Sequence, residues 1–429
     1  MSPSDLAIVA ALIFGWGIVS ARLERFDVTA PIVFVLAGLL ATHGPLSPLG
    51  ITPSHEVIKT LAEVTLVLVL FSDASRVGLA NLRPDLGLYL RLLGVGLPLT
   101  IGLGTLLALA LFGGMNIWLA LLVGAALAPT DAALGAGLME NPQVPGRIRR
   151  LLNVESGLND GIATPIVLLA LAGAGVASPS GSGAGAALLD LVLGLLIGAA
   201  IGGIGGWLIR QTRRRGWVSD GFAGPAVLGL AVSAYAAALA LHGNGFIAAF
   251  TAGLAFGTTS GRRGEPLVPF VAEAGSMVSL LVWLAFGAVV VVPALAGLTW
   301  QIVVYAVLSL TVIRMAPVAL SLAWAGMGRA TTVFVGWFGP RGLASVIFAL
   351  LALEELSGTE AHLAVSVIAV TVLLSVITHG VSAQPLARRY GAVSTQPGRD
   401  DHPAGLDEMA TRRLIHRGHT RTPAQPPRK

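Results

Sequence analysis

Apolar residues come in long unbroken runs along this chain, separated by short connections in which the charged residues collect. A run of about 20 apolar residues spans a bilayer as a helix. Such runs lie near 5–21, 29–45, 56–72, 88–113, 116–138, 150–176, 187–209, 221–242, 245–259, 268–293, 300–326, 330–353 and 362–385. The pattern predicts an all-α polytopic membrane protein of about thirteen transmembrane helices. The runs at 29–45 and 245–259 are short.

Two runs are interrupted. The fifth contains Ala128-Pro129-Thr130-Asp131, and the twelfth contains Gly336-Trp337-Phe338-Gly339-Pro340-Arg341-Gly342. A proline in mid-membrane removes an N–H and leaves the carbonyl four residues earlier without its helical partner. Free backbone groups at that depth survive only when buried in protein or lining a wet cavity. Runs one to six and eight to thirteen make two six-helix halves, linked by the seventh and so of opposite orientation. Interrupted helices in corresponding positions of two inverted repeats point to a transporter site.

The basic residues alternate with this parse. Odd-numbered connections carry Arg22 and Arg25; Arg76, Arg83 and Arg91; Arg147, Arg149 and Arg150; Arg210 and Arg213 to Arg215; Arg262 and Arg263; Arg329; and Arg388 with Arg389. Even-numbered connections carry none, apart from Lys59 at a helix start. Because positive charge marks the cytoplasmic side, the N-terminus is expected outside and the C-terminus inside. The first run, Leu6 to Ile18, has no basic stretch before it and reads as a retained helix rather than a cleaved signal. Residues 1–390 form the expected membrane domain, and 391–429 a mostly disordered basic cytoplasmic tail. The Gly/Ser-rich connection Ala177 to Ala186 reads as a flexible outer loop.

Composition supports the class. The chain is 55% hydrophobic and 11% charged, against about 25% charged in soluble domains. Its 54 glycines suit close helix packing in lipid, where small residues let backbones approach. The lack of cysteine excludes disulfides, thiolate catalysis and Cys-ligated metals. A net charge of +5 is explained by the sidedness of the arginines, so no nucleic acid is expected.

Charges inside the runs carry the function. A charged side chain at bilayer depth costs about 2.5–3.5 kcal/mol on insertion scales, and this chain places Asp73, Asp131, Glu155, Asp160, Glu273, Arg314 and Arg341 there. In Glu155-Ser156-Gly157-Leu158-Asn159-Asp160-Gly161, Ser156 and Asp160 share one helix face, and Glu155 and Asn159 a neighbouring one. Glu155 and Asp160 lie roughly 140° apart around the axis at 100° per residue. One carboxylate should therefore face a cavity, placed to exchange a proton, and the other a protein partner.

These three motifs together resemble signatures of the monovalent cation:proton antiporter superfamily, nearest its NhaP/NHE-type sodium/proton antiporter branch. Phe71-Ser72-Asp73 is similar to that branch's Phe-x-acid element, although relatives often have the longer Glu there and glycines where Ala74-Ser75-Arg76 stand. The resemblance covers residues 1–390. It implies an NhaA/NhaP-like core of crossed, unwound helices moving against a dimerisation domain, in a homodimer in the cell membrane. It implies a transporter, not an enzyme, with no cofactor. Asp160 would bind cation and proton in competition, and Ser156, Asp73 and the Thr130 backbone would complete an oxygen shell for Na⁺ or Li⁺. Asn159 stands where the electrogenic branch has a second aspartate, which implies electroneutral one-for-one exchange. Arg341 would pair with Glu155 to fix the unwound helix, and Arg314 would neutralise Asp131. Potassium/proton exchange on the same fold is the alternative, because the motifs do not separate Na⁺ from K⁺.

The remaining polar residues read as structural. Glu63 lies toward the outer half of its helix, and Glu273 reads equally as solvated or as capping a polar network. His43, His55, His242 and His362 fall at outer ends, and His379 in the last run reads as structural rather than as a pH sensor. An intramembrane aspartyl protease using Asp131 and Asp160 would need a Gly-x-Gly-Asp turn, and Asp160 follows Leu158-Asn159. A passive channel would favour a symmetric ring of carbonyls or carboxylates, which two inverted halves do not supply.

Overall fold

A computed structural model describes residues 3–23, 28–43, 54–77, 85–135, 144–175, 184–261 and 264–394. Among the described residues the structure is helical, with no strand. The helices are α1 (Pro3–Leu23), α2 (Ala30–His43), α3 (His55–Arg76), α4 (Leu86–Leu111), α5 (Ile117–Ala126), α6 (Gly146–Gly175) and α7 (Ala184–Arg214). They continue with α8 (Asp220–Ala240), α9 (Gly245–Ser260), α10 (Val268–Val289), α11 (Trp300–Ser321), α12 (Arg329–Trp337), α13 (Leu343–Glu355) and α14 (Thr359–Ser394). Helix occupies every apolar run read from the sequence. Among the described residues, eight helices are long and apolar enough to cross a membrane, and α2, α5 and α9 are shorter apolar helices.

The fifth and twelfth runs are divided, as their prolines require. Helix α5 stops at Ala126, and the chain continues through Pro129 to a 3-10 turn at Ala132–Gly135. Helices α12 and α13 are separated by Phe338 to Gly342.

Glycine sets the packing elsewhere. Along α7, Gly194, Gly198, Gly202 and Gly206 lie against α9, where an added Cβ would strike Asn244, Ala248, Ala252 and Thr259 in turn. Helix α9 presents its own Gly253 and Gly257 to the carbonyls of Phe71 and Ser75 on α3. Helices α2 and α10 meet reciprocally, Gly38 against Leu284 and Gly287 against Val35. The main core joins α3, α5, α10, α13 and α14 through residues such as Leu66, Leu122, Phe286, Phe348 and Val372. Large apolar side chains on α1 and α7, including Phe14, Ile18, Leu196 and Trp207, are exposed.

The sequence reading needs correction at its C-terminal end. Helix α14 runs nine residues past the expected 385, through Pro385 to Ser394, because its last turns are docked. Tyr390 stacks on Phe334 of α12 at 4.1 Å between centroids, and its hydroxyl lies 2.9 Å from that of Thr331. The rest of the expected tail, and most of the expected outer loop at 177–186, lie outside the described residues.

The glycine contacts generate a stability prediction. Gly202→Leu drives a side chain into the α9 backbone, so thermal stability in detergent should fall by an amount typical of overpacking, about 1–3 kcal/mol. Gly203 has no heavy atom within 4 Å of an added Cβ, and Gly203→Leu is the control. Equal melting temperatures for the two variants would contradict the close α7–α9 contact.

Candidate functional site

The two interruptions cross, and each broken helix end is met by a side chain. The Asp131 amide donates to the Pro340 carbonyl at 2.8 Å, tying one break to the other. The Asp131 carboxylate accepts from the Leu343 amide at 3.0 Å, which puts a negative charge at the positive N-terminal end of α13. At the opposite pole, the carbonyls left by α5 face Arg341. Its Nη1 donates to Ala128 O at 2.8 Å and to Pro129 O at 3.2 Å, and Ser345 Oγ donates to Ala126 O at 2.6 Å. Glycine makes the approach possible: an added Cβ at Gly342 would strike Asp131, and one at Gly339 would strike Arg314.

Helix α6 runs past this crossing. Ser156 Oγ donates to Thr130 O at 2.5 Å and accepts from the Ala132 amide at 2.8 Å, so one hydroxyl bridges the break after Pro129. Asn159 Nδ2 donates to Thr130 Oγ1 at 2.7 Å. Glu155, on the same face of α6 as Asn159, accepts from Arg314 Nη1 at 2.6 Å. Both members of that pair are about 4% exposed by side chain.

This overturns two expected pairings. Glu155 bonds Arg314 rather than Arg341, and Asp131 bonds the start of α13 rather than Arg314. The reason is local. Arg341 lies within the second break, beside the orphan carbonyls of the first, and it serves them. Asp131 sits at the N-terminal end of α13, where its carboxylate accepts from the Leu343 amide.

Asp160 and Ser156 lie on the other side of α6, as their shared helix face requires. They line a cavity of about 20 Å³ together with Asp73, Arg76, Asp131, Asn153 and Gly157. A site of that size holds roughly one water molecule or a small ion. Asp160 is 6% exposed, and Asp73 reaches the cavity from α3, against Gly157. The structure thus brings Asp160, Ser156, Asp73 and Asp131 to one cavity, whereas Thr130, bonded to Ser156 and Asn159, and Pro129 lie in the adjoining break and not in the lining. It places Glu155, Arg314 and Arg341 in the supporting crossing.

Sequence reasoning missed Asn153 and Arg76 in the lining, and Ser345, Ser375 and His379 in the crossing. Asn153 could have been found, since it lies seven residues before Asp160 on the same face. Glu273 is exposed, which leaves the solvated reading. Glu63 accepts from Tyr235 at 3.1 Å, a link between α3 and α8.

Residues 8–389 match the family described as the transmembrane sodium/hydrogen exchanger. The chain belongs to that family. Its relatives include the K(+)/H(+) antiporter NhaP of Alkalimonas amylolytica, 27% identical over 92% of this chain and 68% of that protein. The K(+)/H(+) antiporter NhaP2 of Shewanella oneidensis is 26% identical over 86% of this chain and 64% of that one. The chain therefore spans about two thirds of the length of these relatives. The solved sodium proton antiporter MjNhaP1 of Methanocaldococcus jannaschii shares the fold. The TM-score is 0.73 at 20% identity, over 90% of this chain and 98% of that one. The family is one of membrane antiporters, and with it the all-helical antiporter fold expected from the motifs stands.

Removing one partner of a buried ion pair leaves an uncompensated charge, at a cost of about 3–5 kcal/mol. Glu155→Gln and Arg314→Gln should each lower the melting temperature in detergent strongly, and the double variant should recover part of the loss. Strictly additive losses in this cycle would show that the two side chains do not interact. The same cycle on Glu155 and Arg341 should show the smaller coupling.

Proposed function

We propose that this exchanger swaps Na⁺ or Li⁺ for H⁺ by competition at Asp160. The supporting observation is a buried carboxylate that shares a small cavity with Ser156 and Asp73, next to backbone freed by the break at Pro129. Asp160 binds either the proton or the cation, and Ser156, Asp73 and Thr130 supply further oxygens to the cation. Oxygen ligands suit a hard alkali cation, which needs neither His nor Cys. Competition for one carboxylate couples the two fluxes, because the cation leaves when the proton arrives.

In this reading Asn159 cannot ionise and holds Thr130 instead, so one cation exchanges for one proton. Asp131 and Arg341 stabilise the crossing, and Glu155 and Arg314 hold α6 to α11. The protein sits in the cell membrane as a homodimer, with the N-terminus outside and the C-terminus cytoplasmic. The K⁺/H⁺ reading draws on a separate observation, the K(+)/H(+) antiporter names of the two bacterial relatives.

Purified protein in vesicles under an imposed pH gradient should exchange Na⁺ or Li⁺, and scanning K⁺ decides between the two readings. Asp160→Asn should abolish exchange of every cation while still inserting and purifying as folded protein. Residual exchange near the wild-type rate would remove Asp160 from the role.

The stoichiometry makes a separate prediction. A transmembrane potential is worth about 2.3 kcal/mol per elementary charge per 100 mV, but a one-for-one cycle moves no net charge. The exchange rate should stay flat as a clamped potential is varied. A steep voltage dependence, or a measurable current on a supported membrane, would mean that a second proton moves.

A further inference from the structure

Three of the four broken helix ends at the crossing are satisfied by Arg341, Asp131 and Ser156. The fourth, the C-terminal end of α12, leads to a residue that the exchange chemistry does not use. His379 on α14 is 2% exposed, and its Nε2 lies 2.9 Å from the carbonyl of Trp337, the last residue of α12. A carbonyl only accepts, so this contact is a hydrogen bond when Nε2 carries the proton. On the other side of the ring, Nδ1 lies 3.2 Å from Ser375 Oγ and 2.9 Å from the Ser375 carbonyl. The Ser375 hydroxyl in turn accepts from the Arg341 backbone amide at 2.7 Å. The imidazole also stacks on the Trp337 indole at 5.2 Å between centroids, and that indole donates to Ser382 Oγ, again on α14, at 3.0 Å.

We infer that His379, with Ser375, is a positioning residue that clamps both ends of the unwound strand from Trp337 to Arg341 onto α14 and so sets the cation site's geometry. This rests on the reading of Asp160 and its cavity as the exchange site. The chain of contacts is continuous. His379 holds Trp337, Ser375 holds Arg341, and the strand between them presents the Pro340 carbonyl that fixes Asp131 beside Thr130. The residue acts by donating and accepting hydrogen bonds, not by titrating.

The test uses the full chain in vesicles, with Na⁺, Li⁺ or K⁺ chosen as the cation that the wild type exchanges fastest. His379→Ala removes the side-chain contact to the Trp337 carbonyl and leaves that of the Gly339 amide, and its apparent KM for the cation should rise by up to about tenfold, the scale of one hydrogen bond. The maximal rate should fall much less. His379→Gln restores a side-chain donor and should recover most of the affinity, with the midpoint of the rate–pH profile where the wild type has it. Ser375→Ala should raise KM in the same direction and gives a second route if His379→Ala does not fold. Wild-type KM in folded His379→Ala or Ser375→Ala would overturn the inference. A pH midpoint displaced in His379→Gln would also overturn it, since the imidazole would then be titrating. Exchange surviving in Asp160→Asn would instead refute the site reading, whatever the His379 variants do.

Discussion

Backbone that leaves a helix inside a bilayer must find its hydrogen bonds within the protein, and the rest of this architecture follows from that requirement. Two prolines break two helices, and each break exposes carbonyls at one end and amides at the other. The crossing answers one break with the other. The carbonyls of Ala126, Ala128 and Pro129 take Ser345 and Arg341, and the amide of Leu343 takes Asp131. Unlike charges lie at unlike helix poles, Arg341 at backbone carbonyls and Asp131 at a backbone amide.

That arrangement settles which charges remain for other work. With Asp131 and Arg341 committed to the crossing, Arg314 is left to hold Glu155, and the two carboxylates of α6 part company. One is locked in a buried pair. The other lines a cavity with a hydroxyl and a second aspartate from α3. Ser156 joins the two tasks, since the hydroxyl that bridges the Pro129 break also lines the cavity.

Much of this was legible in the sequence, for identifiable reasons. Apolar run length fixes where helices lie, and Pro129 and Pro340 fix where two of them stop. The five-residue spacing of Glu155 and Asp160 separates their faces without knowledge of any neighbour. The partners of the two arginines were not legible, because both Arg314 and Arg341 are far in sequence from Glu155 and Asp131, and composition ranks neither pairing. Nor were Ser345, Ser375 and His379, since one polar residue in an apolar helix carries no periodic signal. The continuation of α14 through Pro385 was missed because its support comes from the Tyr390–Phe334 stack, a tertiary contact that outweighs a local breaker.

The glycine contacts bear on how this protein meets its bilayer. Helices α2 and α9 have 14 and 16 residues, so they are about 21 and 24 Å long at 1.5 Å per residue, against a hydrocarbon core near 30 Å. A helix that short facing lipid would thin the membrane around it, the familiar cost of hydrophobic mismatch. Both are instead gripped through glycine, α2 by α10 and α9 by α7 and α3. Over those faces their ends rest on protein rather than acyl chains. Thickness matching then falls mainly to longer helices with large exposed apolar side chains, α1 and α7 among them, and the short helices are free to take whatever length the interior needs.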